Sequence, residues 1–248
     1  MIEISNLHLT FNKGDANEVN VLRGINIEIK AQEFVVLVGA NGSGKSSLLN
    51  ALAGTVKPDK GNIKIEGKDC THLKEYERSK FLSRIFQNPL QGTAPDLSIL
   101  DNFRLASLRT QSKQLNIGTN LHFKDLVREK IRTLNLGLED KWQQPMGTLS
   151  GGQRQALTLL MATMDDCKIM LLDEPTAALD PKSSAIVMEK AKEIIETTNL
   201  TAILITHQLK DAIKYGNRII MMEEGAITKD LPQQEKSGLK IEELFGWF

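Results

Sequence analysis

Residues Gly39-Ala40-Asn41-Gly42-Ser43-Gly44-Lys45-Ser46 carry the spacing G-x-x-x-x-G-K-[ST] and directly follow the apolar run Phe34-Val35-Val36-Leu37-Val38. Glycines at these positions let backbone N–H groups turn inward on phosphate oxygens. A lysine can then reach the β and γ phosphates, and a hydroxyl at Ser46 can ligate Mg²⁺. The chemistry this predicts is binding of a nucleoside triphosphate.

Two further groups have the residue types that phosphoryl transfer needs. Ile169-Met170-Leu171-Leu172-Asp173-Glu174 ends an apolar strand on two carboxylates. Asp173 there suits a metal ion held through water, and Glu174 suits orienting and polarising the attacking water. Leu149-Ser150-Gly151-Gly152-Gln153 sets a serine and two glycines ahead of a helix running from Arg154 to Met164, a second place where successive N–H groups can meet an anion.

These groups need strands and helices to hold them. Ile2 and Ile4, Leu7 and Leu9, Ile25, Ile27 and Ile29, and Ile63 and Ile65 alternate, which predicts antiparallel strands with one wet face. Phe34 to Val38, Ile169 to Leu172 and Ala202 to Ile205 are continuous apolar runs, as in parallel strands covered on both faces. A helix over Ser47 to Ala53 is stopped by Gly54, and Ser183 to Thr197 forms another, with Pro181 near its first turn. Between Asn88 and Met164 the pattern is helical, with Leu126, Val127, Ile131 and Leu134 in one stripe. A short helix from Gln208 to Lys214, a strand from Arg218 to Met222, a turn at Gly225 and a tail complete the chain. The apolar ending Leu244 to Phe248 is expected to dock on the chain's own core.

Composition bounds the rest. The chain has 248 residues, enough for one sizeable α/β core with an inserted lobe. Lys plus Arg and Asp plus Glu number 31 each, so no global field draws the chain to nucleic acid. Cys70 and Cys167 lack metal-type spacing and read as two structural thiols. No apolar stretch approaches the roughly 20 residues that span a bilayer, so any membrane role runs through a partner.

In their order and spacing, Gly39 to Ser46, Leu149 to Gln153 and Leu171 to Glu174 resemble the ATP-binding-cassette ATPases over nearly the whole chain. The resemblance implies a P-loop NTPase fold of the RecA-like kind. Its mixed α/β core spans residues 1–88 and 165–248, with an N-terminal antiparallel β-subdomain and an inserted α-helical subdomain at 89–164. It implies ATP and Mg²⁺ as cofactors, with Gly39 to Ser46 and Ser47 around the phosphates and Ser46, Gln87 and Asp173 toward the metal. Glu174, His207, Gln87 and Lys45 then carry catalysis. Gln87 resembles the glutamine that senses Mg²⁺ and the attacking water, and His207 the histidine that contacts the γ-phosphate. Asp180 resembles the loop that links two sites across a dimer. Phe11 is the candidate aromatic for the adenine, with a core phenylalanine as the even alternative.

In this family the signature segment, here Ser150 to Gln153, closes on the nucleotide of another subunit, which implies a head-to-tail dimer. Arg154-Gln155-Ala156 departs from the family's usual Arg-Ala pair and leaves the subfamily open. The leading implication is the ATPase subunit of a transporter, peripheral on the cytoplasmic face of the membrane. It would work with an integral membrane permease and an extracytoplasmic solute-binding protein to import a small solute such as an amino acid. Asn88 to Ala94 is the candidate receiver for the permease. The alternative is a lipoprotein-release or cell-division ATPase, built on the same motifs.

Overall fold

The computed structural model describes residues 1–110, 118–239 and 241–247, and divides into two compact units, Met1–Leu82 with Asn199–Phe248, and Ser83–Thr198. In the first unit, β1 (Ile2–Phe11), β2 (Val19–Ile29), β4 (Lys60–Ile65) and β5 (Lys68–Asp69) form an antiparallel sheet in the order β2-β1-β4-β5. Ile2, Ile4, Leu7 and Leu9 are all buried although Ile4 and Leu7 are three residues apart. An alternating strand would send one of them to solvent. A register shift between them, with Asn6 at φ 49°, absorbs the odd residue and returns Leu7 to the core.

The second sheet supplies this unit with β3 (Phe34–Val38), β8 (Thr201–Ile205), β9 (Arg218–Glu223) and β10 (Ala226–Leu231), in the order β10-β9-β3-β8. β3 is parallel to β8 and β9, and every residue of β3 and β8 is buried, which is what their unbroken apolar sequence requires. β10 is antiparallel to β9 where only a turn and a tail are expected from the sequence. Its half-exposed Ala226-Ile227-Thr228-Lys229-Asp230-Leu231 is an edge strand with a weak apolar signal. Arg218 secures that edge with two bonds to Asp230 and one to Glu33.

Helix α1 (Lys45–Ala53) starts at the end of the glycine loop and stops at Gly54, whose φ of 82° suits a residue without Cβ. Its last carbonyls are met by the fully buried guanidinium of Arg78, at the end of α2 (Glu75–Arg78), which donates to Ala51 O, Leu52 O, Thr71 O and Leu73 O. A cation among C-terminal carbonyls also complements the helix dipole. The chain ends in α8 (Gln233–Lys236) and α9 (Ile241–Phe245), which lies against α7 (Leu209–Lys214). Leu244 is buried within this unit, as expected for a docked ending, while Phe248 lies outside the described residues.

In the second unit β6 (Leu82–Ile85), all but its first residue, neighbours β7 (Ile169–Asp173). Around them are α3 (Ile99–Ala106), α4 (Leu121–Arg132), α5 (Gly151–Met161) and α6 (Pro181–Thr197). This compact unit extends beyond the 89–164 span of the helical pattern, because β6, β7 and α6 pack within it. In the α4 stripe Val127, Ile131 and Leu134 are buried together with Phe123, but Leu126 is 42% exposed and does not belong to it. Residues 123, 127, 131 and 134 share a face of a 3.6-residue helix, and 126 falls to its side. Cys70 and Cys167 are free and buried, and burial pushes both thiols above their ordinary range.

Two stability effects follow. Replacing Arg78 by Leu leaves several buried carbonyls without a donor, and we expect a loss of about 3 kcal/mol or more in urea unfolding. Lys236 is 7% exposed and donates to the carbonyls of Tyr215 and Gly216, and burial pushes its pKa from 10.5 down to about 8. Below pH 8 the amine is charged in both folded and unfolded chains. Between about 8 and 10.5 only the unfolded chain keeps the proton, so folding gains stability as pH rises through that window. Unfolding measured at both ends should show the natural chain gaining about 2–3 kcal/mol relative to Lys236→Met.

Candidate functional site

The glycine loop lies wholly in the first unit and links β3 to α1. Gly39 has φ 149° and a Cβ there would come 2.2 Å from Met222 O and 2.7 Å from Ser43 Oγ. Gly44, at φ 100°, is the N-cap of α1, and a Cβ on it would lie 2.8 Å from Val21 O. No side chain caps the helix, whose positive dipole end lies at the glycine loop. Gly42, at φ 80°, has open space around it. Ala40, Asn41 and Ser46 are exposed, Ser47 is half-buried, and Ser43 is buried with its carbonyl accepting from Gly225 N at 3.1 Å.

Lys45 is only 5% exposed, and its Nζ donates to Gly39 O and Ala40 O, both at 2.8 Å. The ammonium is therefore held across the mouth of the loop rather than extended into solvent. His207, after β8, is exposed and lines a cavity of about 590 Å³ with Gly39, Ala40, Asn41 and Gln208. The loop and the predicted γ-phosphate contact thus face one space. Phe11 ends β1 opposite Val19, and the two side chains are 38% and 54% exposed. That removes the core alternative for Phe11 and leaves a ring and an aliphatic neighbour open to a flat ligand.

In the second unit the carboxylate pair closes β7. Asp173 is buried, with Oδ2 accepting from Arg84 Nη2 at 2.6 Å. Glu174 follows at φ 47°, in the left-handed region and directly before Pro175, a placement that both its Cβ and the following proline ring disfavour. Such strain persists where surrounding structure holds a side chain to a task. Gln87 Nε2 lies 3.4 Å from Glu174 Oε2, so the predicted sensor and the predicted base are brought together.

Ser150 is the N-cap of α5, in a capping box. Its Oγ accepts from Gln153 N at 3.3 Å, and Gln153 Oε1 accepts from Ser150 N at 3.1 Å. Gly151 and Gly152 have a packing role. A Cβ on Gly152 would come 2.7 Å from the Ser183 side chain of α6, and one on Gly151 3.2 Å from Leu179. Asp180 caps α6, accepting from Lys182 N and Ser183 N, and hydrogen bonding from Ser183 holds its carboxyl below the ordinary range.

Three residues here were not singled out from the sequence as positioning groups. Arg154, 8% exposed, donates to the carbonyls of Met146, Gly147 and Leu149 and so shapes the approach to Ser150. Gln155 Nε2 donates to Phe86 O at 2.9 Å, tying α5 to the residue before Gln87. Arg84 holds Asp173. A basic residue inside the short apolar strand Leu82–Ile85 was the available signal for the last of these.

Comparison with known proteins gives these motifs a common frame. Residues 22–177 match the ABC transporter family. The chain is 37% identical to the tyrosine transport ATP-binding protein of Clostridioides difficile (strain R20291), covering all of this chain and 98% of that one. It is 32% identical to a bacitracin export ATP-binding protein of Halalkalibacterium halodurans, covering 96% of this chain and 90% of the relative. Among solved structures, the dimeric post-hydrolysis state of the ATP-binding cassette MJ0796 bound to ADP and Pi aligns with TM-score 0.80 at 27% identity, over 94% of this chain and 99% of that one. The chain carrying the strand-borne glycine loop, the acid pair and the capped serine turn is thus an ATPase and belongs to the ATP-binding-cassette transporter family.

Proposed function

We propose that this chain is the ATPase subunit of a membrane transporter with a separate permease, working on the cytoplasmic face of the membrane on a small solute such as an amino acid. The observation that carries this reading is the end-to-end likeness to a tyrosine transport ATP-binding protein, a relative of the same extent as this chain. A phosphonates import ATP-binding protein of Oceanobacillus iheyensis, 31% identical over 96% of its length, supports import in the same way. Among the described residues no helix is long and apolar enough to cross a membrane, so translocation falls to a partner. A solute-binding protein outside the membrane completes the proposed complex.

The residue types that the family resemblance assigns to Mg²⁺ suit the ion: the hydroxyl of Ser46 in one unit, and the carboxylate of Asp173 and the amide oxygen of Gln87 in the other, are hard oxygen donors of the kind it takes beside nucleotide phosphates. When bound, the ion neutralises charge on the β and γ phosphates. Lys45 and the first-turn N–H groups of α1 bind the phosphates, and Phe11 stacks on the base. Glu174 orients a water and accepts its proton, Gln87 positions that water, and His207 contacts the γ-phosphate. The Ser150 turn of a second copy completes the site, with Asp180 between the two. Membership in a family whose solved cassettes include dimers supports that arrangement.

The permease is proposed to dock near Asn88 to Ala94. Leu90 is 47% exposed and Leu105 is 52% exposed. Asn102 fixes the segment's end by exchanging bonds with Ala94 N and Ala94 O. A helix with an apolar side chain would cover both leucines at a gain of about 1.5–3 kcal/mol for each one fully buried.

Three outcomes test this reading. Glu174→Gln keeps the side-chain shape without the base and should slow hydrolysis about 10²–10⁴-fold, about 3–5 kcal/mol on the barrier, while ATP still binds. Undiminished turnover would contradict the role given to Glu174. Glu174→Gly should also abolish turnover yet raise folding stability by about 1 kcal/mol, because it relieves the left-handed strain. Tagged Glu174→Gln protein purified with ATP from native membranes should bring down a multispanning permease, and Leu105→Asp should lose that partner while binding ATP normally. Recovery of a lipoprotein-release or division complex would replace the transporter reading and leave the ATPase intact.

A further inference from the structure

Helix α7 has six residues, too few to be stable by itself, so what packs against it decides where it lies. It begins at Leu209, two residues after His207, and no side chain caps it. Two later parts of the chain brace it. Lys236 of α8 donates to the carbonyls of Tyr215 and Gly216, just beyond its last residue, and α9 lies against it. Ile241, Leu244 and Trp247 recur every three residues through α9 and the turn that follows, which sets them near one another on one face. Leu244 is fully buried, and Lys229 Nζ of β10 lies 4.3 Å from the centre of the Trp247 ring, a cation–π contact that fastens the end of this stripe. Ile241, at its start, lines the cavity of about 590 Å³ that Gly39, Ala40, Asn41 and His207 also line. A phosphate takes no hydrogen bond from a branched apolar side chain. Leu209, the first residue of α7, lines the cavity too and is the apolar surface that Ile241 suits.

We infer that Ile241 is a positioning residue for the nucleotide site: α9, docked through Leu244 and Trp247, sets the stretch from His207 to Leu209 against the glycine loop, so that the imidazole meets the γ-phosphate. The inference rests on the reading of His207 as the γ-phosphate contact and adds the element that places it. Removing the Ile241 side chain opens room for this stretch to shift, and a hydrogen bond weakens steeply once its partners leave their alignment. The contact exists only for a nucleotide that has a γ-phosphate. Loss of Ile241 is therefore felt by ATP and not by ADP, whereas general loosening of the fold would weaken both.

The test is the affinity of the full chain for ATP and for ADP, measured by calorimetry without Mg²⁺. Ile241→Ser should weaken ATP about threefold to tenfold, the worth of one hydrogen bond, and leave ADP unchanged. Ile241→Val keeps the branched side chain and should stay near the natural chain. Trp247→Ala loosens the other end of the stripe and should shift ATP against ADP in the same direction, which carries the test if Ile241→Ser does not fold. In a His207→Ala chain, Ile241→Ser should add nothing further. Equal losses for ATP and ADP, no loss for either, or a full effect of Ile241→Ser without the histidine overturns the inference. If His207→Ala alone leaves the ratio of ATP to ADP affinity unchanged, the γ-phosphate role proposed for His207 fails and the inference falls with it.

Discussion

The turn from β3 into α1 admits no side chain at two of its positions, and the phosphate-binding machinery depends on that constraint. Met222 O stands 2.2 Å from where a Cβ of Gly39 would be, and Val21 O 2.8 Å from that of Gly44. β9 and β2 thus press against the loop from within the same unit, and only bare backbone fits between them. The result is a helix that starts without a side-chain cap, with Lys45 held across the opening by the loop's own carbonyls. At the other end of the same helix, Arg78 neutralises the opposite pole. α1 therefore turns the positive end of its dipole to the glycine loop while its other end is closed by a cation, an arrangement suited to a preorganised anion site.

The second unit solves a different problem, holding acids and a capped serine turn in fixed relation. Buried polar side chains do this rather than the apolar core alone. Arg154 gathers three carbonyls ahead of Ser150, Gln155 ties its helix to Phe86, and Arg84 holds Asp173. Each bond satisfies a group whose burial would otherwise cost free energy, so the network both fixes geometry and resists rearrangement. Glu174, left-handed directly before a proline, is a point where the backbone of this unit is forced, and it is the residue assigned to the chemistry.

Much of this was legible in the residues. The loop at Gly39 to Ser46, the buried strands Phe34 to Val38 and Ala202 to Ile205, and the helix closed by Gly54 follow from local rules that need no tertiary information. Other features depend on neighbours. β10 is a half-buried edge whose pattern is too weak to read, and Leu126 lies one position off the stripe it was grouped with. The glycines at 151 and 152 read as an anion site, and at Gly152 the packing of α6 is a further reason for glycine, since a methyl group there would meet the Ser183 side chain. Asp180 was read only for its family role, and the structure adds that it caps α6 ahead of Pro181. The φ of Glu174 had no local signal at all, since a residue preceding proline is expected to be extended.

If the Ser150 turn of a second copy completes the nucleotide site, ATP must bring two copies together, which sedimentation equilibrium measures. The chain mass is 27.6 kDa. Glu174→Gln protein should sediment at twice that mass with saturating Mg·ATP and at the single mass with ADP, and adding Ser150→Arg should keep it single while ATP still binds. A mass that does not change when ATP is bound, or a dimer that forms equally well with Ser150→Arg, would rule out a site completed by the second copy.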